Sequence, residues 1–403
     1  MAFPGHHHYV NRTGECVPKC GLDILFKKED KEFVLVWMGV WASLCFLGST
    51  FALLTFLLDT SLLEYPERCI VFLNLSYLLM SLAYLLRLMA GEGGVSCMRV
   101  PGGGPSLLVR EGLTSPPLCT VVFILLYFSS LSSAVWWTVT TTTWALLLLC
   151  SLSASQLASK APLYHSLGWG LPAAFTLTAL VRYQIDGDEL TGLCAVGQQS
   201  EETLLYMLVI PASVLLGSAF LSFLSGLVAS LVSPCQEARR LMARISVFFV
   251  LYGLPQTCVV GSLVYEMIER KHWRQDPAAN RPNIEVRLLV VKLVMMFIYQ
   301  VFILRIFMWL IVGIIACSWI LTKRTVQSWT SCFSFCFSFW DRRKKPPTPV
   351  FPKVAYHPTN IETSSDVVTL GDLKTLKSGY RQEMEPLDKR IVLGSAGGSR
   401  IVL

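Results

Sequence analysis

The stretch Leu118–Cys150, LCTVVFILLYFSSLSSAVWWTVTTTTWALLLLC, carries no Asp, Glu, Lys, Arg or His from end to end. A helix needs about 20 apolar residues to cross a hydrocarbon core of roughly 30 Å, and this run exceeds that. In lipid the backbone must satisfy its own hydrogen bonds, so the run is read as a membrane helix. Outward from it lie six more apolar segments: Phe33–Leu58 and Ile70–Ala90 before it, and Leu163–Val181, Leu204–Val232, Ile245–Ile268 and Val301–Leu321 after it. The sequence predicts an all-α membrane protein, a seven-transmembrane helix bundle. The composition agrees, with 53% hydrophobic and 15% charged residues in a chain of 403.

The net charge of +7 is informative by side rather than in total. Arg239, Arg240 and Arg244 fall between the fifth and sixth segments, and Lys323, Arg324, Arg342, Arg343, Lys344 and Lys345 follow the seventh. The stretch before Phe33 balances basic against acidic residues. Positive-inside bias therefore puts the C-terminus in the cytoplasm and the N-terminus outside. Juxtamembrane basic runs of this kind face acidic lipid and anchor topology, so no nucleic-acid partner is expected. Residues 1–32 are polar and lack the apolar core of a cleavable signal peptide, so the first span is expected to act as its own insertion signal. The expected location is the plasma membrane, with retention in the endoplasmic reticulum as the alternative.

Four regions follow: an extracellular linker at 1–32, the helical domain at 33–322, a juxtamembrane amphipathic segment at 323–341, and a disordered cytoplasmic tail at 342–403. Apolar character resumes at Leu288, more than a dozen residues before the seventh span. Leu288–Gln300 is read as an extracellular helical extension or a segment packed on the outer rim. Pro172, Pro211 and Pro255 punctuate the spans, and Pro255 beside Gly253 reads as either a static kink or a hinge. Asn11, in Asn11-Arg12-Thr13, is expected to be glycosylated; Asn74, in Asn74-Leu75-Ser76 inside the second span, is not. Cys16, Cys20, Cys97, Cys119 and Cys194 fall on the oxidising side, where disulfides are permitted. Cys45, Cys69, Cys150, Cys258 and Cys317 read as packing residues, and Cys235, Cys332 and Cys336 as reduced. Cys332 and Cys336, one helical turn apart in an aromatic segment, read either as acylation sites or as ordinary thiols.

No catalytic constellation is visible, and His6, His7 and His8 would bind metal only weakly, so neither an enzyme nor a cofactor is expected. A transporter would carry ionisable residues at mid-membrane and an inverted repeat; the spans are nearly free of mid-membrane charge and show no inverted repeat. Arg244 and Trp319 fall at the same depth on neighbouring helices. From the residues alone they read as a cation–π pair or as two separate anchors. Arg324, Thr325 and Trp329 lie within one and a half helical turns. They read as a surface for a soluble partner or as membrane anchoring. At the C-terminus, Ile401 and Leu403 form a hydrophobic-x-hydrophobic pattern suited to a PDZ domain, against a plain disordered end.

Rhodopsin-type markers are absent, but ordered motifs over roughly Gly14–Trp329 resemble the Frizzled receptors. They are Gly14-Glu15-Cys16-Val17-Pro18-Lys19-Cys20-Gly21, Trp37-Met38-Gly39-Val40-Trp41, Tyr65-Pro66-Glu67-Arg68 and Ser132-Ser133-Ala134-Val135-Trp136-Trp137. Val109-Arg110-Glu111-Gly112-Leu113, Trp169-Gly170-Leu171-Pro172, Asp186-Gly187-Asp188-Glu189-Leu190-Thr191-Gly192-Leu193-Cys194 and Arg324-Thr325-Val326-Gln327-Ser328-Trp329 belong with them. The resemblance implies a Wnt-pathway receptor in which Arg244 and Trp319 form a molecular switch and Arg324, Thr325 and Trp329 recruit Dishevelled. It implies Cys119–Cys194 and Cys20–Cys97 disulfides, with Cys16 free or bonded between molecules. A G protein and a second Frizzled chain are further implied partners.

Two departures stand out. The family's cysteine-rich Wnt-binding domain is expected to be missing, which leaves Wnt capture, directly or through a co-receptor, open. Arg324 also stands where the family has lysine. Two other readings stand beside the receptor: a Frizzled-like decoy or dimerisation partner, and a Smoothened-like sterol-responsive receptor.

Overall fold

Helix α1, Lys28–Leu58, buries Val34, Met38, Ala42, Cys45, Ser49, Ala52 and Thr55. These recur every three or four residues, so they form one stripe on one face. Val36, Val40, Leu44, Leu47, Leu54 and Leu57 point away and are exposed. The helix is therefore apolar all round, with one seam for protein and the rest for lipid. Its N-terminus is capped where the Lys27 backbone N–H donates to Asp30 Oδ2 at 3.3 Å, and Glu29 and Asp30 face the positive end of the helix dipole.

The computed structural model describes residues 7–10, 15–21, 23, 26–60, 63–91, 93–99, 106–113, 115–150, 152–198, 200–232, 236–274, 284–320, 325, 329, 330 and 334. The chain divides into units Met1–Asp341 and Arg342–Leu403, and every described residue lies in the first. Before α1, strands β1 (His7–Val10) and β2 (Glu15–Pro18) form an antiparallel hairpin. After it come α2 (Cys69–Met89), the hairpin β3 (Cys97–Arg99) and β4 (Ser106–Leu108), and α3 (Pro117–Leu149). Then follow α4 (Ala154–Ser159), α5 (Ala161–His165), a π-helical turn at Ser166–Gly170, and α6 (Leu171–Val181). Strands β5 (Asp186–Gly187) and β6 (Cys194–Ala195) pair in the next loop. Last come α7 (Glu201–Leu204), a second π-helical turn at Leu205–Val209, α8 (Ile210–Val232), α9 (Gln236–Arg274) and α10 (Ile284–Ser318).

The long helices close a ring: α1 packs on α2 and α10, α10 on α9, α9 on α8, α8 on α3, and α3 on α2. By length and composition six helical stretches can cross a membrane: Lys28–Leu58, Cys69–Met89, Pro117–Leu149, Glu201–Val232, Met242–Ile268 and Met296–Ser318. The fourth segment read from the sequence is helical throughout, as α5, the π turn and α6 in direct succession, and packs on α3 through α6 and the turn. Gly168 lies in that turn against the Trp136 ring, so closely that a Cβ would collide with it, and Ser132 Oγ donates to the Gly168 carbonyl at 3.0 Å. Pro172 and Pro211 each follow a π turn in continuous helix, and the carbonyls that their missing N–H groups leave free, Gly168 and Met207, accept from Ser132 Oγ at 3.0 Å and the Tyr127 hydroxyl at 2.8 Å. Helix α9 likewise continues through Pro255.

Helix ends differ from the apolar limits. The sixth segment, expected at Ile245–Ile268, belongs to a helix running from Gln236 to Arg274. The chain from Leu288 to Gln300 is part of α10, which starts at Ile284 and runs unbroken into the seventh segment. Hydropathy marks where lipid begins, not where helical hydrogen bonding stops.

Candidate switch and docking site at the ends of α9 and α10

Where α9 begins and α10 finishes, the Arg244 guanidinium carbon lies 5.6 Å from the centroid of the Trp319 ring. The same guanidinium donates to Glu67 Oε1 at 3.2 Å. Glu67 belongs to the turn 65–68 that leads into α2. Trp319 lies just past α10 and rests edge-on against Phe248, ring centroids 5.2 Å apart, and near Trp144 at 6.4 Å. One indole thus bridges α3, α9 and the end of α10. The Arg244 side chain is 63% exposed and that of Glu67 28%, so both contacts are screened. At such sites a cation–π contact contributes about 0.5–1 kcal/mol and an ion pair about 0–1 kcal/mol. The site holds the helix ends together with a force that thermal motion or a partner can overcome.

Two of the described residues after α10 contact the bundle. Thr325 is buried and its hydroxyl donates to the Ile320 carbonyl. Trp329 Nε1 donates to Thr55 Oγ1 at 2.8 Å, and its ring stacks on Phe51 at 5.2 Å. Both partners are on α1. Thr325 and Trp329, two of the three residues read as a partner surface or as membrane anchoring, thus make contacts within the bundle, with Trp329 half-buried; Arg324 lies outside the described residues. Arg239 and Arg240 lie within the first turns of α9, although their side chains are not described.

At the opposite end, two disulfides tie the loops. Cys20–Cys97 joins the chain after β2 to β3, and Cys119–Cys194 joins the first turn of α3 to β6, with Cα separations of 6.1 and 5.4 Å. Arg87, near the end of α2, is buried and donates from Nε to the Thr191 carbonyl at 3.1 Å. Gly192 follows at φ +66 against that guanidinium, where no side chain would fit. Between α9 and α10, Arg305 donates to Glu266 Oε2 at 2.5 Å, with side chains 9% and 5% exposed. This pair borders a cavity of about 60 Å³ also lined by Tyr84, Tyr127, Asp188 and Trp309. A wider polar hollow of about 600 Å³ opens among Lys19, Lys31, Arg87 and Glu189.

Sequence reading missed Glu67 and Glu266. Glu266 left a signal, since it and Arg305 are opposite charges set alone in two apolar runs. Glu67 stood only inside the motif Tyr65-Pro66-Glu67-Arg68, with nothing to mark Arg244 as its partner. Asn74 is fully buried in α2, donating to the carbonyls of Ile70 at 2.9 Å and Ala316 at 3.4 Å. Asn11, Cys332, Cys336, Ile401 and Leu403 lie outside the described residues, as does the side chain of Cys16. Among the described residues no three His, Cys, Asp or Glu side chains converge as metal ligands.

Comparison with known proteins bears on this geometry. Frizzled-10 of Homo sapiens is 35% identical over 357 residues, covering 85% of this chain and 61% of that protein. Frizzled-9 of Gallus gallus is 34% identical over 350 residues, covering 81% of this chain and 86% of that relative. Frizzled-4 of Rattus norvegicus is 36% identical over 334 residues, covering 80% of this chain and 59% of that protein. The chain thus spans about 60% of the length of its Frizzled-10 relatives. A family model described as the Frizzled/Smoothened family membrane region matches residues 25–336. That match takes in α1 through α10, the Cys119–Cys194 disulfide and the Arg244–Trp319 contact: this multi-pass membrane protein belongs to the Frizzled/Smoothened family.

Proposed function

We propose that the chain is the signalling region of a Wnt-pathway receptor at the plasma membrane. In this reading seven helices cross the bilayer, the disulfide-tied loops lie outside, and the ends of α9 and α10 face the cytoplasm. The observation that carries it is the Arg244 guanidinium over the Trp319 ring. A contact of about 0.5–1 kcal/mol changes a two-state population roughly two- to fivefold when it is lost. That suits a latch that a ligand-induced change outside must be able to release. Release lets the start of α9 move away from α3 and α10, and the opened face receives Dishevelled or a G protein. The same reading puts Asn11 outside for glycosylation and the tail inside, with Ile401 and Leu403 available to a PDZ domain.

Co-expression with fluorescent Dishevelled tests the reading. The wild type should bring Dishevelled to the membrane, Arg244→Ala should bring more, and Trp329→Ala should bring none. Equal membrane signal with and without the wild-type chain would rule the recruitment out.

A further inference from the structure

The juxtamembrane tryptophan commits its one polar group and one ring face inside the molecule. An indole has one polar group, an N–H that only donates. In Trp329 that N–H goes to Thr55 Oγ1 at 2.8 Å, and one ring face lies on Phe51 with planes 11° apart. Thr55 is itself fully buried and donates its hydroxyl hydrogen to the Phe51 carbonyl at 2.8 Å, which leaves its oxygen lone pairs to accept. Phe51 and Thr55 are four residues apart on α1, hence on one face. Thr325 makes the other attachment, to the Ile320 carbonyl, one residue beyond Trp319. Trp329 is thus held to α1 and Thr325 to the turn just past α10, and these two helices pack on each other.

We infer that Trp329 serves recruitment by docking the juxtamembrane segment onto α1 rather than by touching the partner, and that Thr55 and Phe51 are positioning residues for it. The inference rests on the Dishevelled reading above, and it makes Trp329 a support for the partner's contacts rather than one of them. It also couples that segment to the switch, because Thr325 holds the turn that carries Trp319.

The test uses the full chain in cells, with surface level held equal, and reads membrane recruitment of fluorescent Dishevelled. Thr55→Val removes the acceptor at nearly constant shape and should lower recruitment about two- to tenfold, the range of one hydrogen bond. Phe51→Ala should lower it similarly, and Phe51→Tyr, which keeps the ring, should restore it. If Thr55 acts through Trp329, Thr55→Val adds nothing in a Trp329→Ala background. Full recruitment by both Thr55→Val and Phe51→Ala, while Trp329→Ala recruits none, would mean that Trp329 touches the partner directly and overturns the inference. So would a Thr55→Val loss that persists without Trp329. Docking is read separately from the distance between fluorescent amino acids replacing Leu58 and Ser334. Thr55→Val and Phe51→Ala should lengthen that distance, and an unchanged distance overturns the inference whatever Dishevelled does. Absence of recruitment by the wild type would instead overturn the Dishevelled reading, with the distance still deciding the docking.

Discussion

Glu266 and Arg305 show what one residue can decide in this bundle. Both side chains are more than nine-tenths buried and meet at 2.5 Å. Removing one partner leaves an uncompensated buried charge, which costs about 3–5 kcal/mol, whereas replacing both with apolar side chains is often neutral. Glu266→Ala should therefore lower the thermal midpoint of the purified protein markedly, and Glu266→Leu combined with Arg305→Met should restore it. Equal melting of the single and wild-type proteins would show that the pair is solvated. The charges were visible in the sequence as lone interruptions of two apolar runs. Their pairing was not, because α9 and α10 are apolar on every face and periodicity does not reveal their rotation. The Arg244–Trp319 contact was legible only as one of two alternatives for the same reason. The contact of Trp329 with Thr55 and Phe51 was not legible either, because nothing in a five-residue spacing shows which helix the indole meets.

Among the elements, α9 is the one built to bend. It is held to α10 by Glu266 on one side of Pro255 and by the Arg244–Trp319 contact on the other, with Pro255 midway. Proline removes a helical hydrogen bond and lowers the resistance to bending there. Pro255→Ala should reduce the movement of the start of α9 that Arg244→Ala releases. Equal movement in the Arg244→Ala protein with and without Pro255→Ala would make Pro255 a static kink. The fourth helix teaches the converse lesson. Its apolar run was plain, but the π turn at Ser166–Gly170 leaves no mark in hydropathy, so the turn was not legible. The reason for Gly168 is the Trp136 ring against it, and Gly168→Ala should destabilise the protein by about 1–3 kcal/mol through overpacking, measured by thermal unfolding.

For the whole molecule, the two ends are held with unequal strength. One carries two disulfides, the packed Arg87 and the buried ion pair; the other depends on screened contacts of Arg244 and on the docked Trp329. A bundle fixed at one end and weakly latched at the other will respond to force by opening at the latch. The central claim is that Arg244 over Trp319 is that latch. Its most direct measurement is the distance between spin labels replacing exposed Leu149, at the end of α3, and exposed Val247, near the start of α9. Wild-type protein should give one short distance, and Arg244→Ala should add a longer population. An identical distance distribution in the two proteins would contradict the account and leave Arg244 and Trp319 as separate anchors.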